Sequence, residues 1–240
     1  MTATIGLIGG MAWDSSAEYY RLLNTGSRRR LGGHRTVRSL LLTEDFAEIE
    51  ALQRAGDWDR ASELLAADAR TLQDAGADLV LLCTNTMHRV AGAIEAALDV
   101  PFVHLIDATA EAAAEAGTAT VGLLGSRFTM EMDFYRDRML RHGVNVLVPD
   151  EPGRTTVDDV IYRELTQGIV TDASRRAYAG VIAGLAERGA EAVVLGCTEI
   201  TLLIGPDDSP LPVLDSTRIH VERALDMALD MALGPAKAPA

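Results

Sequence analysis

The chain repeats itself. IGLIGG at 5–10 returns as VGLLGS at 121–126, GADLVLLCTNT at 76–86 as GAEAVVLGCTEI at 189–200, and PFVHLIDAT at 101–109, shortened, as PVLDST at 212–217. Three matches in one order point to two related halves, each close to the usual size of a domain. Each half also carries a weaker apolar run in second place, VRSLLLTEDF at 37–46 and VNVLVPD at 144–150. The matched segments are unbroken Val/Ile/Leu runs, the pattern of strands covered on both faces. Between them lie stretches with helical spacing, such as DWDRASELLAADARTLQDAG at 57–76 and SRRAYAGVIAGLAERGA at 174–190. Strand alternating with helix predicts parallel sheets. The expected fold is therefore α/β: two pseudo-symmetric α/β domains with parallel-stranded sheets. Ligands of such sheets bind at the carboxyl ends of the strands, so each polar cluster that follows an apolar run is a site candidate.

Composition narrows the partners. A hydrophobic content of 48% against 24% charged residues is that of an ordinary globular chain. The formal charge of −13 repels nucleic-acid backbones and anionic membrane surfaces. RRRLGGHR at 28–35 is the one basic cluster, and it has the form of a helix end stopped by Gly32 and Gly33. No apolar run approaches the ~20 residues of a membrane span, and the N-terminus lacks the basic and apolar regions of a signal peptide. A cytoplasmic, reducing location is expected, with free thiols rather than a disulfide. GPAKAPA at 234–240 is expected to be disordered.

Those thiols are the chain's two cysteines, Cys83 and Cys197, and they occupy equivalent places in the halves. Each ends a predicted strand, precedes a threonine (Thr84 or Thr198) and stands where a helix would start. Free amides and the positive helix end favour an anion there and lower a thiol's pKa. Either cysteine alone is as well explained as a small core residue. As a symmetric pair they suit stereoinversion: a thiolate removes a proton from one face of a carbon and a thiol returns one to the other. An amino acid's Cα proton is very weakly acidic, so donors must stabilise the developing charge. The hydroxyls of Thr84, Thr86 and Thr198 and the amide of Asn85 are candidates. No metal, flavin or pyridoxal-lysine motif is visible, and the histidines lack metal-ligand spacing.

GGMAWDSS, LCTNTMH, SRFTMEMDFY and GCTEI resemble the aspartate/glutamate racemase family, in its amino-acid racemase branch, from Ile5 to about Val221. The resemblance implies a cofactor-independent racemase, usually a homodimer, with an active-site cleft between its domains and with Cys83 and Cys197 as the catalytic acid/base pair. It implies a free amino acid as substrate, of broad specificity or aspartate/glutamate. It also implies that the last strand of each half crosses over, giving domains of 1–103 with 213–240 and of 104–212. Hydantoin racemisation, maleate isomerisation with one thiolate as nucleophile, and non-catalytic amino-acid binding are the rivals.

Further candidates follow from sequence position and resemblance together. Thr156 and Asp159 have capping-box spacing, and Glu164 falls on the apolar stripe of the helix they would start. A substrate ammonium or an arginine could partner it. Gln53, before a turn at Gly56, lies where the resemblance places a substrate-contacting loop, and its neutrality argues against an acidic side chain unless Arg54 compensates. Arg127 and Thr129 follow another strand end. His88 could tune Cys83 or simply pack, His104 reads as core, and Asp107 and Asp215 read as caps of the next helices.

Gly6, Gly9 and Gly10 are spaced G-x-x-G-G, which fails the dinucleotide fingerprint G-x-G-x-x-G. The stretch reads instead as a close-approach turn, with the Met11 backbone and Ser15 or Ser16 near the substrate and Trp13 excluding water.

Overall fold

The structure, a computed structural model, describes residues 3–233. The tail at 234–240 lies outside the described residues. These divide into two compact units: the residues up to His104 with those from His220 onward, and Leu105–Ile219.

The first unit is built from β1 (Thr4–Gly9), α1 (Trp13–Leu31), β2 (Arg38–Thr43), α2 (Phe46–Ala55), α3 (Trp58–Asp74), β3 (Leu79–Leu82), α4 (Ala91–Ala97) and β4 (Phe102–Val103). The second holds α5 (Leu105–Glu115), β5 (Thr120–Gly125), α6 (Arg127–Glu131), α7 (Asp133–Arg141), β6 (Asn145–Leu147), α8 (Glu151–Arg163), α9 (Asp172–Glu187), β7 (Ala192–Gly196) and β8 (Val213–Asp215). Helix α10 (Ser216–Leu233) begins in the second unit and continues in the first from His220. Both sheets are parallel and four-stranded, ordered β2-β1-β3-β4 and β6-β5-β7-β8. The repeat seen in the sequence is thus a repeat of topology, with β3 and β7 in the same place.

The unbroken apolar runs become central strands because both faces are covered. β1, β3 and β7 are buried along their whole length. In the first unit, one face of the sheet packs on Tyr19, Leu22 and Leu23 of α1 and on Val221 and Leu225 of α10. The other packs on Ile49, Leu65, Leu72 and Ile94 of α2, α3 and α4. β2, at the edge, is only partly buried.

Several local expectations change. Helix α8 starts at Glu151, not Thr156, because the Asp150 carboxylate caps the Gly153 amide at 2.9 Å and Pro152 sits in the first turn. The capping-box spacing at Thr156 therefore falls inside the helix. PFVHLIDAT is strand only at Phe102–Val103, then helix. Sheet register pairs Val103 with Leu81 and Asp215 with Leu195, two residues before Cys83 and Cys197 respectively. Val103, not Asp107, is therefore the counterpart of Asp215. Asp215 caps α10 through the Arg218 amide at 3.0 Å, whereas Asp107 lies inside α5 and is held by Arg138 at 2.5 Å and His142 at 2.8 Å. It is the helices after β4 and β8 that pass to the other unit; β8 itself stays in the second, held by its ladder to β7.

Two arginines of the basic cluster hold α10 to α1. Arg29 and Arg30 pair with Glu222 at 2.6 and 2.5 Å, and Arg30 with Asp226 at 2.8 Å. Next to it, the first residue of α10 in the first unit is fully buried. His220 donates from Nε2 to the Val103 carbonyl at 2.7 Å and accepts at Nδ1 from the Tyr19 hydroxyl at 2.8 Å. Burial lowers its pKa from 6.5 to about 4. The unfolded chain therefore takes up a proton that the folded chain refuses, and stability present above pH 6.5 is lost as the pH falls towards 4, by up to ~3 kcal/mol. Acid unfolding curves should show this one-proton slope in the wild type, and His220→Gln should lack it while being less stable at pH 7. Equal slopes would place the titration elsewhere.

Candidate active site

At the carboxyl end of β3, the Cys83 amide closes the ladder on the Ile8 carbonyl at 2.8 Å. Its side chain is fully buried in the core shared with Leu81, Val103 and Tyr19, and that burial pushes the thiol's pKa up. The chain turns through half-buried Thr84 and buried Asn85 into a short 3₁₀ helix, Thr86–Val90. His88 Nδ1 donates to the Thr84 carbonyl at 2.7 Å, so this histidine holds the loop that carries the thiol. It also stacks edge-on with His104, centroids 4.7 Å apart.

Gln53 is buried and lies in a helix, not in the loop that follows it. It sits in the last turn of α2, before Gly56 in the left-handed conformation, and its Nε2 donates to Met87 Sδ at 3.0 Å. Met11 and Met87 share the core on that face of the sheet. The structure thus brings Gln53, Met11 and the Thr84–Thr86 loop to one edge, while the Cys83 side chain packs on the α1 side of the same sheet. Arg54 is exposed and paired with Glu50 at 2.7 Å.

The glycine turn supports this edge. Gly10 has φ +91°, and a Cβ there would meet the Glu44 carbonyl oxygen at 2.2 Å. Ser16 is occupied in holding the turn, accepting from the Gly10 amide at 2.8 Å. Trp13 is 70% exposed.

In the second unit, Cys197 follows β7 as Cys83 follows β3 and is half-buried. Its thiol donates to Glu199 Oε2 at 2.8 Å, and the Thr198 hydroxyl donates to the same oxygen at 2.9 Å. Burial first, and the Glu199 carboxylate second, raise the thiol's pKa well above its ordinary value. Asp158 adds to this, and its Oδ1 accepts from the Arg127 amide at 2.7 Å. The Arg127 side chain is turned to Glu131 and Glu151. Thr129 closes the α6 cap, its amide donating to Ser126 Oγ at 3.3 Å.

Glu164 is not on the stripe of α8. The helix ends at Arg163 and Glu164 is its C-cap, accepting from the Ser174 hydroxyl at 2.5 Å. Among the described residues, the Ser174 hydroxyl is the hydrogen-bond donor seen on this carboxylate side chain, which keeps further acceptor sites. Glu164, Asp158 and Cys197 nonetheless converge on Tyr178, whose own pKa is raised by burial and then by these three.

Glu199 is the residue that sequence reasoning passed over. The signal was present in the repeat: Asn85 and Glu199 stand at the same distance from their cysteines, an amide in one half and a carboxylate in the other. Among the described residues, no cluster of three or more His, Cys, Asp or Glu is placed to hold a metal ion, and no helix is long and apolar enough to cross a membrane.

The family model for Asp/Glu/hydantoin racemases matches residues 8–224. The chain belongs to that family. A Yersinia pestis protein solved as a candidate Asp/Glu racemase is 46% identical, with a TM-score of 0.90 over 95% of this chain and 100% of that one. An aspartate racemase homologue from Pyrococcus horikoshii OT3 is 30% identical, TM-score 0.86, covering 96% of this chain and 100% of that one. A glutamate racemase from Roseiflexus sp. (strain RS-1) is 29% identical over 80% of this chain and 71% of its own length. The Asp/Glu/hydantoin racemase fold and its two α/β units are those described above, and membership makes this chain a racemase, an isomerase.

Proposed function

We propose that this racemase interconverts L- and D-α-amino acids without a cofactor, by a two-base mechanism in which Cys83 and Cys197 act on opposite faces of Cα. The observation that carries the proposal is the placement of the chain's two cysteines at the carboxyl ends of equivalent strands, each followed by threonine and a 3₁₀ turn. One cysteine sulfur, as thiolate, takes the Cα proton; the other, as thiol, gives its proton to the opposite face and is left as the thiolate. Thr84, Asn85, Thr86 and Thr198 supply donors for the charge that develops between the two transfers.

Both thiols start with raised proton affinity, so thiolate formation depends on the bound substrate, whose ammonium lowers the cost of a nearby anion. Neutral Gln53, and an Arg54 engaged with Glu50, favour substrates beyond the acidic amino acids. The enzyme would act as a homodimer in a reducing compartment. Single enantiomers of free amino acids, incubated without added cofactor and resolved by chiral chromatography, should each yield the mirror image. Turnover of hydantoins or maleate, with no amino acid inverted, would replace the proposal with another reaction of the superfamily.

A further inference from the structure

A carboxyl group stands on the buried stripe of α3. Asp68 shares that stripe with Ala61, Leu65 and Leu72, is 8% exposed, and has no hydrogen-bond donor to its Oδ2 among the described residues. An ionised carboxylate buried in this way is costly, and keeping the proton removes the cost. The side chain within hydrogen-bond reach is a second carboxyl, Glu44, just past the end of β2. Two carboxylates are both acceptors, and one proton between them makes a donor and an acceptor. Burial first, and the Glu44 charge second, push Asp68 up to about 7.

We infer that Asp68 and Glu44 share one proton, and that this clamp makes them positioning residues for the glycine turn that carries Met11 to the site edge. Its effect on substrate rests on the function proposed above; the shared proton does not. Leu72, one turn further along α3, has its Cβ 3.3 Å from where a Cβ on Gly6 would stand, and α3 runs back towards the start of β3. Asp68 therefore lies one turn nearer the carboxyl end of β1, where Gly9 and Gly10 follow. The Glu44 backbone meets the same turn: its amide donates to the Gly9 carbonyl at 3.1 Å, and its carbonyl closes on Gly10. Pinning the Glu44 carboxyl to Asp68 holds that backbone in place. As the pH rises, Asp68 gives its proton to water, two like charges face each other, and the repulsion loosens the Gly9–Glu44 join.

Other charges nearby are engaged or distant. β1 and β3 carry none, and Arg38 of β2 is in register with Thr4, at the far end of the sheet from Glu44. On α2, Asp45 caps the Ala47 amide, Arg54 is paired with Glu50, and Glu48 is exposed. His88 holds the Thr84 carbonyl, Arg89 lies over the Trp58 ring, and α4 adds Glu95. On α3 itself Arg60 pairs with Glu63 and Arg70 is exposed. Glu44 is the group whose charge acts on Asp68.

The shared proton can be read directly by carbon NMR of the aspartate carboxyls from pH 4 to 9. One aspartate should titrate near 7, Asp68→Asn should remove that transition, and Glu44→Gln should lower it by about one unit. A folded pKa raised above the unfolded 3.8 contributes stability that is full below pH 3.8 and lost as the pH rises through about 7. Asp68→Asn, whose amide donates to Glu44 at every pH, should thus melt above the wild type at pH 8.5, with the gap closing towards pH 4. His220 titrates with the opposite sign in part of this range, but both proteins carry it and it drops out of the difference. One unit above the midpoint, about one molecule in ten keeps the proton. Protection of the Glu44 amide from hydrogen exchange should therefore fall about tenfold between pH 6 and 8 in the wild type and not in Asp68→Asn. The wild-type KM for an inverted amino acid should rise by a similar factor relative to the variant, with kcat following one pH curve in both. Absence of an aspartate titrating above pH 6, or its persistence in Asp68→Asn, would overturn the shared proton. Equal exchange or equal KM profiles would overturn the positioning role. If the wild type inverts no amino acid, it is the racemase proposal that fails, and the carboxyl titration and Glu44 exchange still decide the clamp.

Discussion

Cys83→Ser and Cys197→Ser are each expected to lower inversion ~10³-fold, because a serine hydroxyl at the same place is far too weak an acid, and too rarely ionised, to relay the proton. Enantiomers have equal free energies, so kcat/KM must be the same in the two directions for every variant. A lesion on one thiol therefore slows L-to-D and D-to-L inversion alike. The asymmetry appears in isotope exchange. The remaining thiol can still remove and return the proton on its own face, so each variant should exchange the α-proton of one enantiomer, and the two variants should differ in which. Cys83 is fully buried, and a hydroxyl there costs about 1–2 kcal/mol, so thermal melting must accompany the assay. Full inversion by either variant would contradict the two-base assignment; exchange of the same enantiomer by both would contradict the opposed faces.

The second large effect is on stability. Gly10→Ala should cost about 3 kcal/mol or more. At φ +91° an L side chain is strained, and the new Cβ would lie 2.2 Å from the Glu44 carbonyl oxygen and 2.5 Å from its nitrogen. The clash is with backbone, and the Glu44 amide is itself bonded to the Gly9 carbonyl at 3.1 Å, so neither side yields without breaking the β1–β2 join. Gly32 is the control: φ is +72° but nothing lies within 4 Å of its Cβ position, and Gly32→Ala should cost about 1 kcal/mol. At ~2–4 °C per kcal/mol for a chain of this size, the two melting temperatures should separate by about 4–8 °C. Equal losses would mean that the turn relaxes freely.

That turn shows how far the sequence could be read. The spacing of Gly6, Gly9 and Gly10 was enough to reject a dinucleotide loop, but not to show that Gly10 is needed because β2's exit crosses it. The two sheets, their parallel strands and the matching cysteine positions were legible because they rest on long apolar runs and on a repeat. What failed was local. The apolar period that puts Glu164 on a helix face cannot tell where a helix ends, and α8 ends one residue earlier. Matching PFVHLIDAT to PVLDST by letter pairs Asp107 with Asp215, whereas the sheet register pairs Val103 with it. Gln53 and Glu199 are buried through contacts with Met87 and Cys197, and Gln53's partner lies 34 residues away, beyond any local pattern.

The central claim, two thiols on opposite faces of one carbon, is tested most directly by isotope content during inversion. A single L-amino acid is incubated with the wild-type protein in deuterated water, then the D form likewise, and product and residual substrate are separated early in each reaction. The account predicts product carrying deuterium at Cα in both directions, with residual substrate still largely protiated. Product that keeps the substrate's own proton would mean that one group serves both faces, and would contradict it.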